Sequence, residues 1–270
     1  MKANILFLPI VFIQVLTSTV LLVPKGNPAV ENLPDAGGWI NWERLIIKAI
    51  GVCNLPGDVE SEAEALEIAR AAAIARAYRN LALVTNSVRV SGNTYVKDLA
   101  SNSEEIRLKL EDFVKNGQII SGKQLCDRSY EIIIQATLWG KDGIATIISP
   151  KTPNERVANL NNKLPPGLVI DARGIDLKPC LFPVIFNPEG QKILDTAEMG
   201  IVAYSNDAKQ ALNPKKNRAH PIVIRALGKN KKSPTDIMVN TEDSARILEA
   251  KRQTGILSNS RILVLIGSPK

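Results

Sequence analysis

Hydrophobic and polar positions first set the N-terminus apart from the rest of the chain. Ile5 to Val23 is almost uninterrupted apolar sequence, relieved only by Gln14, Thr17, Ser18 and Thr19, with the positive Lys2 ahead of it. A basic start followed by an apolar run is the pattern of an export signal. Pro9 and Gln14 weaken its reading as a membrane span, which needs ~20 apolar residues. The candidate cleavage sites "TSTV" and "VPKG" are poor, so removal and retention as an anchor both stay open. Residues 1–26 are expected to be this signal or anchor, and no other apolar run approaches spanning length.

Beyond it, "NPAVENLPDAGG" has the Pro, Asn and Gly content of a linker. "WINWERLIIKAIGV" then reads as a strand built on Ile40, Trp42, Ile46 and Ile47 and closed by Gly51. A long helix is expected from about Val59 to Val84, with Glu60, Glu62 and Glu64 at the positive end of its dipole. At 100° per residue, Leu66, Ala73, Ile74, Ala77, Leu81 and Val84 share one arc, which predicts a core-facing stripe. Arg76 and Arg79 fall outside that arc, whereas Arg70 falls near its middle. Arg70 must then find a partner inside the module, snorkel to the surface, or face a ligand or binding partner. A second helix follows Ser103 as N-cap, with Ile106, Leu110, Phe113 and Val114 on one face. "GQIISGKQLC" and "SYEIIIQATLWG" predict an antiparallel hairpin around "DRS".

The Pro-rich stretch after Gly140 breaks these rhythms, which places one module at 38–140 and another at 166–267. In the second, strands are expected at "GLVIDARG", "LFPVIFN", "GIVAYS", "PIVIRALG", "TDIMVN" and "RILVLIG". One helix, starting at Thr241 and stopped by Gly255, precedes the last of them. The fold class is therefore α+β, with each module a mainly antiparallel sheet and packed helices.

Composition refines this picture. The chain has 270 residues, 45% of them hydrophobic and only 4% aromatic, so it is globular with an aliphatic core. Its formal net charge is +7. Much of the excess lies in two loops, Lys215, Lys216 and Arg218 in one and Lys229, Lys231 and Lys232 in the other. These read as solvated loop charge or as weak attraction to anionic envelope polymers or lipid head groups. Nucleic acid is not expected, because no aromatics interleave with the basic residues.

Chemistry is sparsely signalled. The single histidine, His220, has no nucleophile signature nearby. Neither a P-loop nor a G-x-G-x-x-G pattern occurs. Cys53, Cys126 and Cys180 are too far apart for a C-x-x-C site, and at most one disulfide is possible, with Cys53 and Cys126 the candidate pair. Asp171 and Asp176, in "IDARGID", and Asp236 are the acidic residues best placed for metal or acid–base work. Carboxylates at such places more often bond turn amides, and Asp171 is also spaced to pair with Arg173. Trp39 and Trp42 read as one core residue and one that covers a sheet edge or partner surface.

The segments "GWINWERLIIKAIGV" and "ARAAAIARAYRNLALVTNSVRVSGNTYVKDL", with the helix and hairpin ending "LWG", resemble the exported lipoprotein family typified by a twenty-kilodalton bacterial outer-membrane lipoprotein. The same module is similar to the N-terminal part of the flagellar H/T-ring protein. "LPPGLVIDARGIDLKP" and "TEDSARIL" resemble the extension that follows this module in exported proteins. The resemblance implies a periplasmic or outer-membrane-associated protein, in a flagellar or other envelope assembly. It carries no catalytic residues, and this chain lacks the lipidated Cys that anchors the lipoprotein members. The expectation is a non-enzymatic exported protein that acts through envelope proteins or self-association, without cofactor or metal. The alternative is a periplasmic enzyme or small-ligand protein with a site at Asp171, Arg173 and Asp176.

Overall fold

Two sheets share one hydrophobic core, which runs without a break from Ala29 to Ile266. The structure, a computed structural model, describes residues 26–149, 166–211, 221–252, 257 and 261–268. The expected signal or anchor segment, apart from residue 26, lies outside these residues. So do Lys215, Lys216, Arg218 and His220. The fold is α+β, as the patterning implies.

The first sheet begins earlier than expected. Val30–Leu33 (β1), within the anticipated linker, pairs with Gly38–Asn41 (β2). The expected single strand beyond it is in fact a hairpin of β2 and Ile46–Asn54 (β3). The Asn41 side chain makes the turn: its Oδ1 accepts the N–H groups of Glu43 and Arg44 at 3.1 and 2.8 Å. Asn is suited to this because its carboxamide mimics a backbone turn. After Glu62–Asn86 (α1) comes a small hairpin, Arg89–Ser91 (β4) with Thr94–Tyr95 (β5). Val96–Asn102 (α2) and Glu104–Lys115 (α3) follow. Gln118–Gln124 (β6) and Ser129–Thr137 (β7) form the expected hairpin, and Ile144–Ile148 (α4) buries Ile144 and Ala145. The sheet order is β1-β2-β3-β7-β6, antiparallel throughout, with β6 at the margin.

Helix α1 is seated by small residues. Ser61 caps it, its Oγ accepting the N–H of Glu64 at 3.1 Å. Its buried row is Ala65, Ala69, Ala73, Ala77 and Leu81. A Cβ on Gly51 would lie 2.0 Å from the Ala73 carbonyl oxygen, so only glycine lets β3 pass this close to the helix. Beyond Ala49, β3 outruns β2 and its edge carbonyls need other donors. Arg76 donates to Val52 O at 2.6 Å and Asn80 to Ile50 O at 2.7 Å. The match is geometric: four helical residues rise about 6 Å, and two strand residues advance about 6.8 Å.

This row corrects the placement of Arg70. A step of four residues turns about 40° beyond a full rotation, so the buried line winds around α1, and one averaged arc misplaces residues near its ends. At the level of Arg70 the sheet faces Ala69. Arg70 itself is exposed and lies 3.6 Å from Glu67.

The second sheet comprises Pro166–Asp171 (β8), Val184–Phe186 (β9), Lys192–Asp195 (β10), Val202–Ser205 (β11), Ile222–Lys229 (β12), Ile237–Val239 (β13) and Arg261–Leu265 (β14). Its order is β10-β9-β13-β12-β8-β14-β11. Here the expected antiparallel pairing gives way to a mixed sheet, since β12, β8, β14 and β11 run parallel. The reason is visible in burial. β8 and β14 are covered on both faces, as parallel strands usually are, whereas β12 alternates buried and exposed positions. Thr241–Arg252 (α5) packs Ile247 and Ala250 inward. Its start is capped by Asn240, whose Oδ1 accepts the N–H of Asp243 at 2.7 Å.

No helix among the described residues is long and apolar enough to cross a membrane. All three cysteines are free, which removes the candidate Cys53–Cys126 bridge: Cys126 is exposed and Cys53 half-buried.

Candidate functional site

The acidic candidates of the second module are already neutralised. Arg173 donates to both carboxylate oxygens of Asp171, at 2.8 and 2.7 Å, and its backbone N–H adds a third bond at 3.2 Å. These bonds hold the Asp171 carboxyl below its usual value against the opposing effect of burial, and they raise Arg173. Asp176 forms a separate cluster with Lys178 at 3.0 Å and Lys229 at 3.4 Å. Lys178 first, and Lys229 after it, lower its pKa. Nothing joins Asp176 to the Asp171 pair. Asp236 accepts from Val184 N–H and Thr235 Oγ1, a structural use. Lys231 and Lys232 are exposed and have no carboxylate partner among the described residues. No group of three His, Cys, Asp or Glu residues able to hold a metal occurs among the described residues.

The residues joining the two modules carry the most perturbed groups, and the sequence reading missed their role. Arg89 is 8% exposed. Its guanidinium donates to Pro179 O at 2.9 Å and to Tyr95 Oη at 3.3 Å, and it meets Glu31 at 3.5 Å. Burial pulls against its charge, but Glu31 and Tyr95 outweigh burial and raise its pKa. On either side, the Arg89 and Val90 carbonyls accept the N–H groups of Leu181 and Phe182. Trp42 is the core tryptophan. Its ring meets Tyr204 edge-on at 6.0 Å, and its carbonyl accepts Tyr204 N–H. Trp39, half-buried on β2, lies under the Lys48 ammonium at 5.8 Å. The Tyr204 hydroxyl bridges the backbone of Cys180, accepting from its N–H and donating to its carbonyl. Burial pushes the Cys180 thiol up to about 12, although Tyr204 and Thr235 oppose it, so this sulfur is no nucleophile near neutral pH.

Two open places lie in the first module. One is a cleft of about 480 Å³ among α1, α2 and α3, floored by Ala82, Ala100, Leu110 and Val114. Of its rim cations, Arg107 pairs with Glu104 and Glu111, and Lys115 with Asp112. The other is a cavity of about 730 Å³ where α3, β6, β7 and the 139–142 turn meet. Gly117 joins α3 to β6 beside it, and a Cβ there would lie 2.5 Å from Leu81 Cδ2. Asn116 and Gln118 flank Gly117. Gln118 stands opposite Gln135 in the strand register, with Thr137 two residues further along β7. Among the described residues three buried side-chain atoms have no hydrogen-bond partner: Thr85 Oγ1 and Trp139 Nε1, on residues that line the cleft and the cavity respectively, and Arg261 Nε on β14.

By fold, then, the molecule is an α+β protein of two joined sheets. Residues 167–268 are similar to the second domain of Tp0624 from Treponema pallidum, which covers the second sheet and its helix. Comparison with curated proteins gives no match. The similarity assigns no reaction or ligand to these residues.

Proposed function

We propose that this is an exported, non-enzymatic protein that works by binding in the cell envelope, through the free end of its first sheet. The observation that carries this reading is the exposed edge strand of the first sheet. Asp171 and Arg173 pair with each other, Asp176 pairs with Lys178 and Lys229, and Cys180 and Tyr204 are sealed in the joint. At the free end, by contrast, strand β6 is exposed along nearly its whole length, with Ile119 and Ile120 47% and 45% exposed. Edge strands of this kind are open to pairing with another chain. The N-terminal apolar segment and the first module's resemblance to exported lipoproteins support the envelope setting, with a flagellar or outer-membrane-associated assembly as the partner complex.

Fractionation of cells making the full chain tests the location. The protein is expected with periplasm or membranes, bound to envelope components. Recovery in the cytosol alone overturns the proposal.

A further inference from the structure

We infer that the cavity at the end of α3, β6 and β7 is a binding site for a neutral, hydroxyl-rich ligand, specifically a short oligosaccharide. Its volume of about 730 Å³ is within the range of small-molecule sites. Its wall is unusually rich in groups that both donate and accept. Asn116, Gln118 and Gln135 present three carboxamides and Thr137 a hydroxyl, and none of these side chains hydrogen-bonds to the described residues. A carboxamide offers two donors and an acceptor. A sugar hydroxyl also both donates and accepts, so carboxamides match pairs of hydroxyls better than they match an anion or a hydrocarbon.

Charge narrows the class further. Lys141 and Asp142 contribute one charge of each sign, so the wall is neutral overall. A phosphate site would need surplus cations or a nest of backbone N–H groups, and a metal site would need more than one carboxylate. Phe113 and Trp139, both largely buried, give the wall its apolar part. Trp139 also lines the wall, is 8% exposed, and its buried indole N–H has no acceptor among the described residues. The ring itself is held in place by an edge-on contact with Phe182 at 5.6 Å.

This inference deepens the envelope-binding proposal and rests on it only for the source of the sugar, an envelope glycan. Fractionation tests that source, and a titration of the purified chain tests the site alone.

The titration uses ¹⁵N-labelled full chain with chitotetraose, cellotetraose and maltotetraose. The Trp139 indole N–H resonance, identified by its loss in Trp139→Phe, reports on the wall. Saturable binding of at least one sugar is expected, with a shift of that resonance. Gln118→Leu with Thr137→Val changes two exposed side chains and should weaken binding at least tenfold at unchanged melting temperature. No saturable binding of any of the three, or equal binding by the double variant, overturns the inference. So does displacement of the sugar by inorganic phosphate at this wall.

Discussion

The joint between the modules and the free end of the first sheet are built from similar residues to opposite ends. Both contain tryptophan, amides or tyrosine, and charged groups. At the joint most polar groups are used, with Arg261 Nε, beside Glu43, the exception. Arg89 has a carbonyl, a hydroxyl and a carboxylate, Tyr204 bridges Cys180, and Ser205 Oγ donates to Glu43 at 2.9 Å. Beside the edge strand β6 the amides of Asn116, Gln118 and Gln135 line a cavity. Folding consumes polar groups where stability requires it, because a buried unpaired group is costly. Groups left over at one surface are therefore available for binding.

The most severe way to break this contrast is at Arg89. Arg89→Met leaves Glu31 half-buried without its cation and removes the bond to Pro179 O. Loss of one partner of a buried pair typically costs ~3–5 kcal/mol. Urea denaturation should show that loss, while sugar binding by the residual folded protein stays unchanged. A cost below about 1 kcal/mol would mean that the joint is incidental.

Gly51→Ala should follow, at about 3 kcal/mol, the upper end of overpacking effects. The added Cβ meets backbone of α1, at Ala73 O and Ala77 N, which no side-chain rotation relieves. Thermal melting measures it, and a neutral result would contradict the close seating of α1.

The ion-paired end of the second sheet should respond least. Asp171 is held below its usual pKa by Arg173. Its contribution is therefore complete above the ordinary carboxylate range and is lost as pH falls through the depressed value. Both side chains are about a quarter exposed, so Asp171→Asn should cost under ~1 kcal/mol at neutral pH and flatten the acid end of the stability curve. A larger loss, or loss of a bound ligand, would move the functional site to the second module.

The sequence exposed some of this contrast and hid the rest for identifiable reasons. Helix α3, the β6–β7 hairpin and the apolar runs of β8 and β14 carry strong local periodicity and were legible. The hairpin at Asn41 was not, because an Asx turn interrupts an apolar run without Gly or Pro. β1 lies within a Pro- and Asn-rich segment, and β4, β5, α2 and β10 are too short for periodicity to show. Parallel pairing depends on which strands become neighbours, which is decided far from each strand. Arg89 gave no local signal, since its partners Glu31, Tyr95 and Pro179 come from separate elements. The cavity wall was equally scattered, although Gln135 and Thr137, at alternate positions beside the apolar "EIII" run, were a readable sign of a solvated sheet face. Arg70 was misplaced because one angular average cannot follow a stripe that winds around a long helix.

The central claim is that the working surface lies at the free end of the first sheet. Photo-cross-linking in cells, with p-benzoylphenylalanine at Gln118 or at Lys232, tests it directly. Both positions are exposed, one on the cavity wall and one in the basic loop of the second module. Adducts to envelope components from position 118 and none from 232 are predicted. Adducts from 232 alone would contradict the account.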